Sequence, residues 1–227
     1  LLAAILLAAA VGIALVKLAV EHVRAGGVVT MIIVTIGASI LLRGTASVVW
    51  DRNFHYMKPF SGSDPIALFG ATITPQSLWV LGVTAAVAVA LLLFYRHTRT
   101  GKAMLATAFN SEAAQLMGVN VSVILAVSFG LAAGLGALGG ILITPISSTS
   151  FGVGVMLGLK GFAAAIVGGL GNSFAAFAGG LFVGIAEAMA AGYISSAYKD
   201  AVAFVIILLV LFVRPQGLAG GRMSERV

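Results

Sequence analysis

Seven apolar runs, separated by short polar stretches, organise the chain: 1–16, 28–42, 76–95, 121–143, 155–170, 174–191 and 197–213. A helix that crosses a bilayer takes about 20 apolar residues. The pattern therefore predicts an all-α integral membrane protein, a polytopic helical bundle with about seven spans. The fifth run contains Lys160 and is parted from the sixth by Gly171, Asn172 and Ser173 alone, a connection that suits a re-entrant pair as well as two crossings. The chain opens inside an apolar run with no initiating methionine and no basic n-region or cleavage site of a signal peptide, so its start is expected to be truncated.

Composition closes off other classes. Of 227 residues, 60% are hydrophobic, 9% are charged and 29 are glycine, and mean hydropathy is +1.13. A soluble domain carries about 25% charged residues, so neither a soluble fold nor a nucleic-acid module fits. Cysteine is absent, which removes disulfides and thiolate metal sites. His22, His55 and His97 stand apart from one another and from acidic partners, and read as solvated or interfacial residues rather than metal ligands.

The net charge of +6 gains meaning from its distribution, because lysine- and arginine-rich loops stay in the cytoplasm. With seven spans, one side collects Lys17, Arg24, Arg96, Arg99, Lys102, Arg214, Arg222 and Arg226, and the other only Arg43, Arg52, Lys58 and Lys199. The first side is assigned inside, which makes 96–120 a cytoplasmic loop and the C-terminus cytoplasmic. The external segment 45–75 mixes Trp50, Phe54, Tyr56 and Phe60 with charge, as headgroup-level segments do, and 65–75 reads as a small hairpin about Gly70. It either caps that face or receives an external partner.

Several motifs dissolve on inspection. Gly134, Gly136 and Gly139 fit the dinucleotide spacing but lie mid-span, with no preceding strand and no acidic residue about 20 positions on. No phosphate loop is present, so the chain is expected to bind no cofactor of its own. The pairs Gly130/Gly134 and Gly180/Gly184 are small-x-x-x-small patterns that let helix backbones approach, or that mark broken helices along a pathway. Lys160 and Glu187 are the charges inside spans, and Lys160 is expected to snorkel. Neither has a sequence neighbour suited to acid–base work, so an enzyme is not expected.

The most informative stretch is 110–118. Asn110 or Ser111 can cap a helix, Glu112 puts negative charge in its first turn, and Gly118 can take the left-handed position that ends it. About two turns result, too short to persist unless packed on something.

Glu112-Ala113-Ala114, followed after three residues by Gly118, resembles the E-A-A-x-x-x-G loop of ABC importer permeases. Further stretches are similar to the permeases of branched-chain amino acid importers: Thr100-Gly-Lys-Ala-Met104, Leu159-Lys-Gly-Phe-Ala163, Ile166-Val-Gly-Gly-Leu-Gly171, Gly179-Gly-Leu-Phe-Val-Gly184 with Glu187, and Arg214-Pro-Gln-Gly-Leu218. Glu21-His-Val-Arg24, Ile33-Val-Thr-Ile-Gly37 and Phe69-Gly-Ala-Thr-Ile-Thr-Pro75 extend the likeness over nearly the whole chain. The longer importer consensus ends Ile-x-Leu-Pro, which the residues from Val119 onward lack.

The resemblance implies a single permease domain over 1–227 in a bacterial inner membrane, with the family's N-terminal helix or helices expected to be missing. Its partners would be a second permease (a copy or a relative), two ATP-binding subunits that hold the ATP, and a substrate-binding protein. Asn110, Ser111, Glu112, Ala113, Ala114, Gln115, Leu116, Met117 and Gly118 would form the ATPase-coupling loop. A relative carrying urea, short amides or another amino acid is the neighbouring alternative. A secondary transporter or channel is the alternative from another class.

Overall fold

The computed structural model describes residues 1–21, 27–62, 64–68, 71–169, 173–193, 195–214 and 217. Helix α1 (Leu2–Leu15) continues into a π-helical stretch, Val16–Val20, and is followed by α2 (Gly27–Val49). A hairpin of β1 (Ile66–Leu68) and β2 (Ala71–Ile73) precedes α3 (Pro75–His97). Two short helices, α4 (Arg99–Phe109) and α5 (Ser111–Leu116), lead to the long α6 (Val121–Ser147). The chain closes with α7 (Val153–Gly168), α8 (Ser173–Tyr193), a 3-10 turn at Ser196–Tyr198 and α9 (Lys199–Val213).

Among the described residues, five segments are long and apolar enough to cross a membrane: Leu2–Val20, Val29–Val49, Pro75–His97, Val121–Ser147 and Phe174–Tyr193. The expectation of about seven becomes five full-length candidates and two shorter apolar helices. Helix α7 has 16 residues and α9 has 15, roughly 24 and 22 Å at about 1.5 Å per residue, against a hydrocarbon core of about 30 Å. A break on each side limits α7: Ser148 at φ 57 before it and Gly169 at φ 113 after it.

Two helices run past their expected ends because hydroxyl side chains satisfy themselves along the helix. In α2 the hydroxyls of Thr45 and Ser47 donate to the Leu41 and Gly44 carbonyls. Arg43, expected in a loop, is consequently a helix residue whose Nε donates to the Ser39 carbonyl at 3.3 Å. Helix α6 continues through Pro145 to Ser147, with the Thr144 hydroxyl donating to the Gly140 carbonyl.

The chain divides into two compact units, one of Leu1–Thr84 with Leu93–Gly152 and one of Ala85–Leu92 with Val153–Val227. In the first, α1 lies antiparallel to α6: Gly12 faces Phe129, Ile13 faces Gly130 and Ile5 faces Gly134. Val16, Val20 and Ala126 form the core there, with Leu15, Leu125 and Phe129 against it. In the second, Ala164 meets Gly179 and Gly168 meets Ala175, which makes α7 and α8 an antiparallel hairpin. Val167 and Val183 are its core, covered by Ile206 and Val210 of α9.

Burial is inverted relative to a soluble domain. Alanine and valine dominate the interior, while Leu6, Ile36, Leu208 and Phe212 are exposed. Surface of that kind is stable against lipid, where small residues at helix contacts supply the association.

The segment between α2 and α3 is tied down by four hydrogen bonds, at His55, Phe60 and Ser61. The His55 N–H donates to the Thr149 carbonyl, and the Thr149 N–H donates back to that of His55, at 2.9 and 3.0 Å. The Phe60 N–H donates to Gln76 Oε1, and Trp79 Nε1–H to the Ser61 hydroxyl. Ile66 pairs with Ile73 and Leu68 with Ala71 in the hairpin. Its Gly70 turn lies outside the described residues, as do His22, Arg24, Asn172, Pro215, Gln216, Arg222 and Arg226.

Candidate functional site

The 110–118 stretch adopts the helix its capping residues predict, and each end is closed by hydrogen bonds. Asn110 does two jobs: its N–H donates to the Ala106 carbonyl, ending α4, and its Oδ1 accepts from the Ala113 N–H at 2.9 Å, starting α5. Of the two capping candidates, the structure selects Asn110 over Ser111. Glu112 lies in the first turn, where the helix dipole favours a negative charge. At the far end the Gly118 N–H donates to the Gln115 carbonyl and the Val119 N–H to the Ala114 carbonyl, each at 3.0 Å. This is a Schellman closure with Gly118 at φ 85. Asn120 then caps α6, its Oδ1 accepting from the Ser122 and Val123 N–H groups.

Six residues make no stable helix in isolation; α5 is held by these caps and by Ala114, its one buried side chain. The other site residues point away from the chain. Ser111, Glu112, Ala113, Gln115, Leu116, Met117 and Gly118 are exposed, Leu116 at 89% and Met117 at 85%, with Phe109 beside them at 82%. An open cleft of about 300 Å³ adjoins the helix, lined by Gln115, Gly118, Val119, Asn120, Val121 and Ser122.

Helix α4 was not foreseen within 96–120. Thr98 caps it, its hydroxyl oxygen accepting from the Gly101 N–H. Gly101 and Met104, three apart, form its buried face. Gly101 is obligatory at this corner, because a Cβ there would overlap the Phe94 carbonyl and come within 2.7 Å of the Tyr95 Cα. The polar threonine ahead of that small-and-apolar spacing was the available signal.

A second polar feature lies between α7 and α8. Lys160 does not snorkel: its Nζ lies 3.0 Å from Glu187 Oε2, with side chains 22% and 18% exposed. Their separation of 27 positions concealed the partnership. Gln76 is a third feature that went unrecognised. It is 2% exposed, accepts from the Phe60 N–H and donates through Nε2 to the Leu142 carbonyl at 3.0 Å. Leu142 lies in the turn before Pro145, one position beyond Ile141, whose carbonyl loses its helical donor to the proline.

The glycine expectations divide. Gly130 and Gly134 face α1, whereas in α8 the tight contact belongs to Gly179, and a Cβ on Gly184 would meet nothing within 4 Å. Gly134, Gly136 and Gly139, the dinucleotide-like spacing, all lie inside α6.

Apolar spanning helices, an inverted burial pattern and a capped helix between two spans define a multi-pass helical membrane protein. A family model described as "Branched-chain amino acid transport system / permease component" matches residues 1–211, and the chain belongs to that family of transport permeases. It is 34% identical over 229 residues to the high-affinity branched-chain amino acid transport system permease protein LivH of Escherichia coli K12, covering 99% of this chain and 74% of the relative. The corresponding protein BraD of Pseudomonas aeruginosa is 31% identical over 230 residues, with 99% and 75% covered. The galactose/methyl galactoside import permease protein MglC of Escherichia coli is 34% identical over 157 residues, 64% of this chain and 44% of that protein. No solved structure matches.

Proposed function

We propose that this chain is the transmembrane permease subunit of an ABC importer for branched-chain amino acids, with 110–118 as the cytoplasmic coupling helix that an ATP-binding subunit receives. The observation that carries the reading is the exposure of Phe109, Leu116 and Met117 around a capped six-residue helix. In water, burying one such side chain against a partner is worth about 1.5–3 kcal/mol, so a helix held rigidly with this face outward is built to be covered. On this reading ATP is bound by two partner subunits, and the 1–227 unit pairs with a second permease, a copy or a relative. A substrate-binding protein delivers cargo to the tied-down segment between α2 and α3, in a bacterial inner membrane with the C-terminus in the cytoplasm. The amino-acid cargo is preferred because the likeness to LivH and BraD covers 99% of the chain, against 64% for the sugar permease.

Gly118→Val tests the coupling role. A Cβ at 118 meets no neighbour, so the whole penalty is conformational, about 1–2 kcal/mol for a side chain at positive φ, and it falls on the aim of α5 rather than on the spans. The variant complex inserts and pairs normally but binds the ATPases more weakly, or hydrolyses ATP without uptake. Gly118→Val and Glu112→Lys complexes that hold both ATPases and transport at the wild-type rate would refute the coupling role.

A further inference from the structure

We propose that Glu187, positioned by Lys160, receives the ammonium group of a zwitterionic cargo on its way through the permease. The inference rests on the amino-acid reading above and gives it a site. Lys160 and Glu187 are the only charged residues of α7 and α8. A charge within a span is costly and ordinarily marks a pathway or a pairing. Here the pairing is incomplete: Lys160 engages Glu187 Oε2, while Oε1 is buried with no hydrogen-bond partner among the described residues.

An ionised carboxylate accepts hydrogen bonds through both oxygens, and leaving one buried and unmet is a standing cost. A purely structural stitch has no reason to keep that cost; a site that awaits a donor does. Open space adjoins the pair without reaching Oε1 itself, since a Cβ on Gly161, next to Lys160, or on Gly184, one turn before Glu187, would meet nothing within 4 Å; a small side-chain rotation of Glu187 has to present that oxygen to the cargo.

Charge balance selects the ligand class. The pair is neutral but carries a strong local dipole. A zwitterion laid head to tail against it brings an ammonium to Glu187 Oε1 and turns its carboxylate toward the Lys160 end, so that every charge is compensated. A simple amine or a simple carboxylic acid would leave one charge unmatched in a medium of low dielectric. An uncharged sugar would make no use of the pair.

The test uses the complete complex in proteoliposomes with saturating leucine-loaded binding protein, reading leucine carried per ATP hydrolysed together with assembly and thermal stability. Two variants are compared: Glu187→Gln, and the double variant Lys160→Met/Glu187→Met, which removes both charges at similar volume and with them the demand for a partner. Both are expected to assemble and hydrolyse ATP within twofold of wild type while the leucine-to-ATP ratio falls at least tenfold. Should Glu187→Gln not assemble, the double variant decides alone. Either variant carrying leucine at the wild-type ratio overturns the proposal, and so does failure of both to assemble, which would make the pair a packing element. A wild-type complex that carries no amino acid refutes the cargo reading itself, an outcome visible before any variant is made.

Discussion

Where α1 meets α6 the contact is mixed: Gly130 lies under Ile13 and Gly134 under Ile5 and Ala9, but a Cβ on Gly12 would collide with the Phe129 carbonyl. Where α7 meets α8, backbone meets backbone. A Cβ on Gly179 would collide with the Ala164 carbonyl and the Gly168 backbone, and one on Gly168 with the Ala175 carbonyl. The polar devices differ in parallel. The first unit buries a neutral amide, Gln76, whose two bonds bridge two other segments; the second buries an ion pair with one oxygen unmet. Side-chain contacts yield by rotamer and backbone contacts do not. At Gly130 and Gly134 the first unit is therefore the more adjustable, and the α7–α8 contact of the second is the tighter and more polarised.

The largest effect expected from this contrast is at Gly179. Gly179→Leu must push α7 and α8 apart along their whole contact, for which overpacking values of about 1–3 kcal/mol are a floor, because no side chain is there to move. Gly130→Leu in the other unit has only the flexible Ile13 to displace at close range and should cost distinctly less. Thermal unfolding of the two variants in the same detergent orders them, and Gly179→Leu unfolding no earlier than Gly130→Leu would remove the distinction.

Next in size is Gln76→Leu, which removes the acceptor of the Phe60 N–H and one donor to the Leu142 carbonyl inside α6 at once. A buried group left without its partner costs about 1–3 kcal/mol, and a lost hydrogen bond about 0.5–1.5 kcal/mol. The Phe60 end lies nearer the surface and finds water, so the sum should stay within the first of these ranges. The loss should appear as proteolytic cleavage within 54–62 before global unfolding. Unchanged protection of that segment would show that Gln76 is not what holds it.

How much of this was legible depends on the range of the interaction. Helix α5 could be read from nine consecutive letters because its determinants are local: an asparagine cap, an acid in the first turn and a glycine at positive φ. Gln76 could not, since its partners lie 16 and 66 positions away and a glutamine opening an apolar run looks like a loop residue. Lys160 and Glu187 were singled out individually and missed as a pair for the same reason. The glycine register was lost more subtly. A small-x-x-x-small pattern selects a stripe, yet Gly179 and Gly180 are about 100° apart on the helix, and only the shape of α7 decides which one it touches.

The smallest predicted effect is the most discriminating about what covers the rest of the surface. A Cβ on Gly134 lies at 3.6 Å from the nearest Ile5 atom, an ordinary contact, and on Gly184 it meets nothing within 4 Å. Alanine is preferred over glycine within a helix by about 1 kcal/mol. Gly134→Ala and Gly184→Ala should therefore leave the isolated subunit unchanged or stabilise it by up to that amount, and thermal unfolding that drops by more than about 0.5 kcal/mol at either position would contradict the geometry. The two should part company only in the assembled complex. Gly134 is already covered within the chain, so its variant behaves alike alone and assembled. Gly184 faces outward beside Glu187, so a defect confined to the complex would place another chain against that face of α8, and its absence would leave the face to lipid or to cargo.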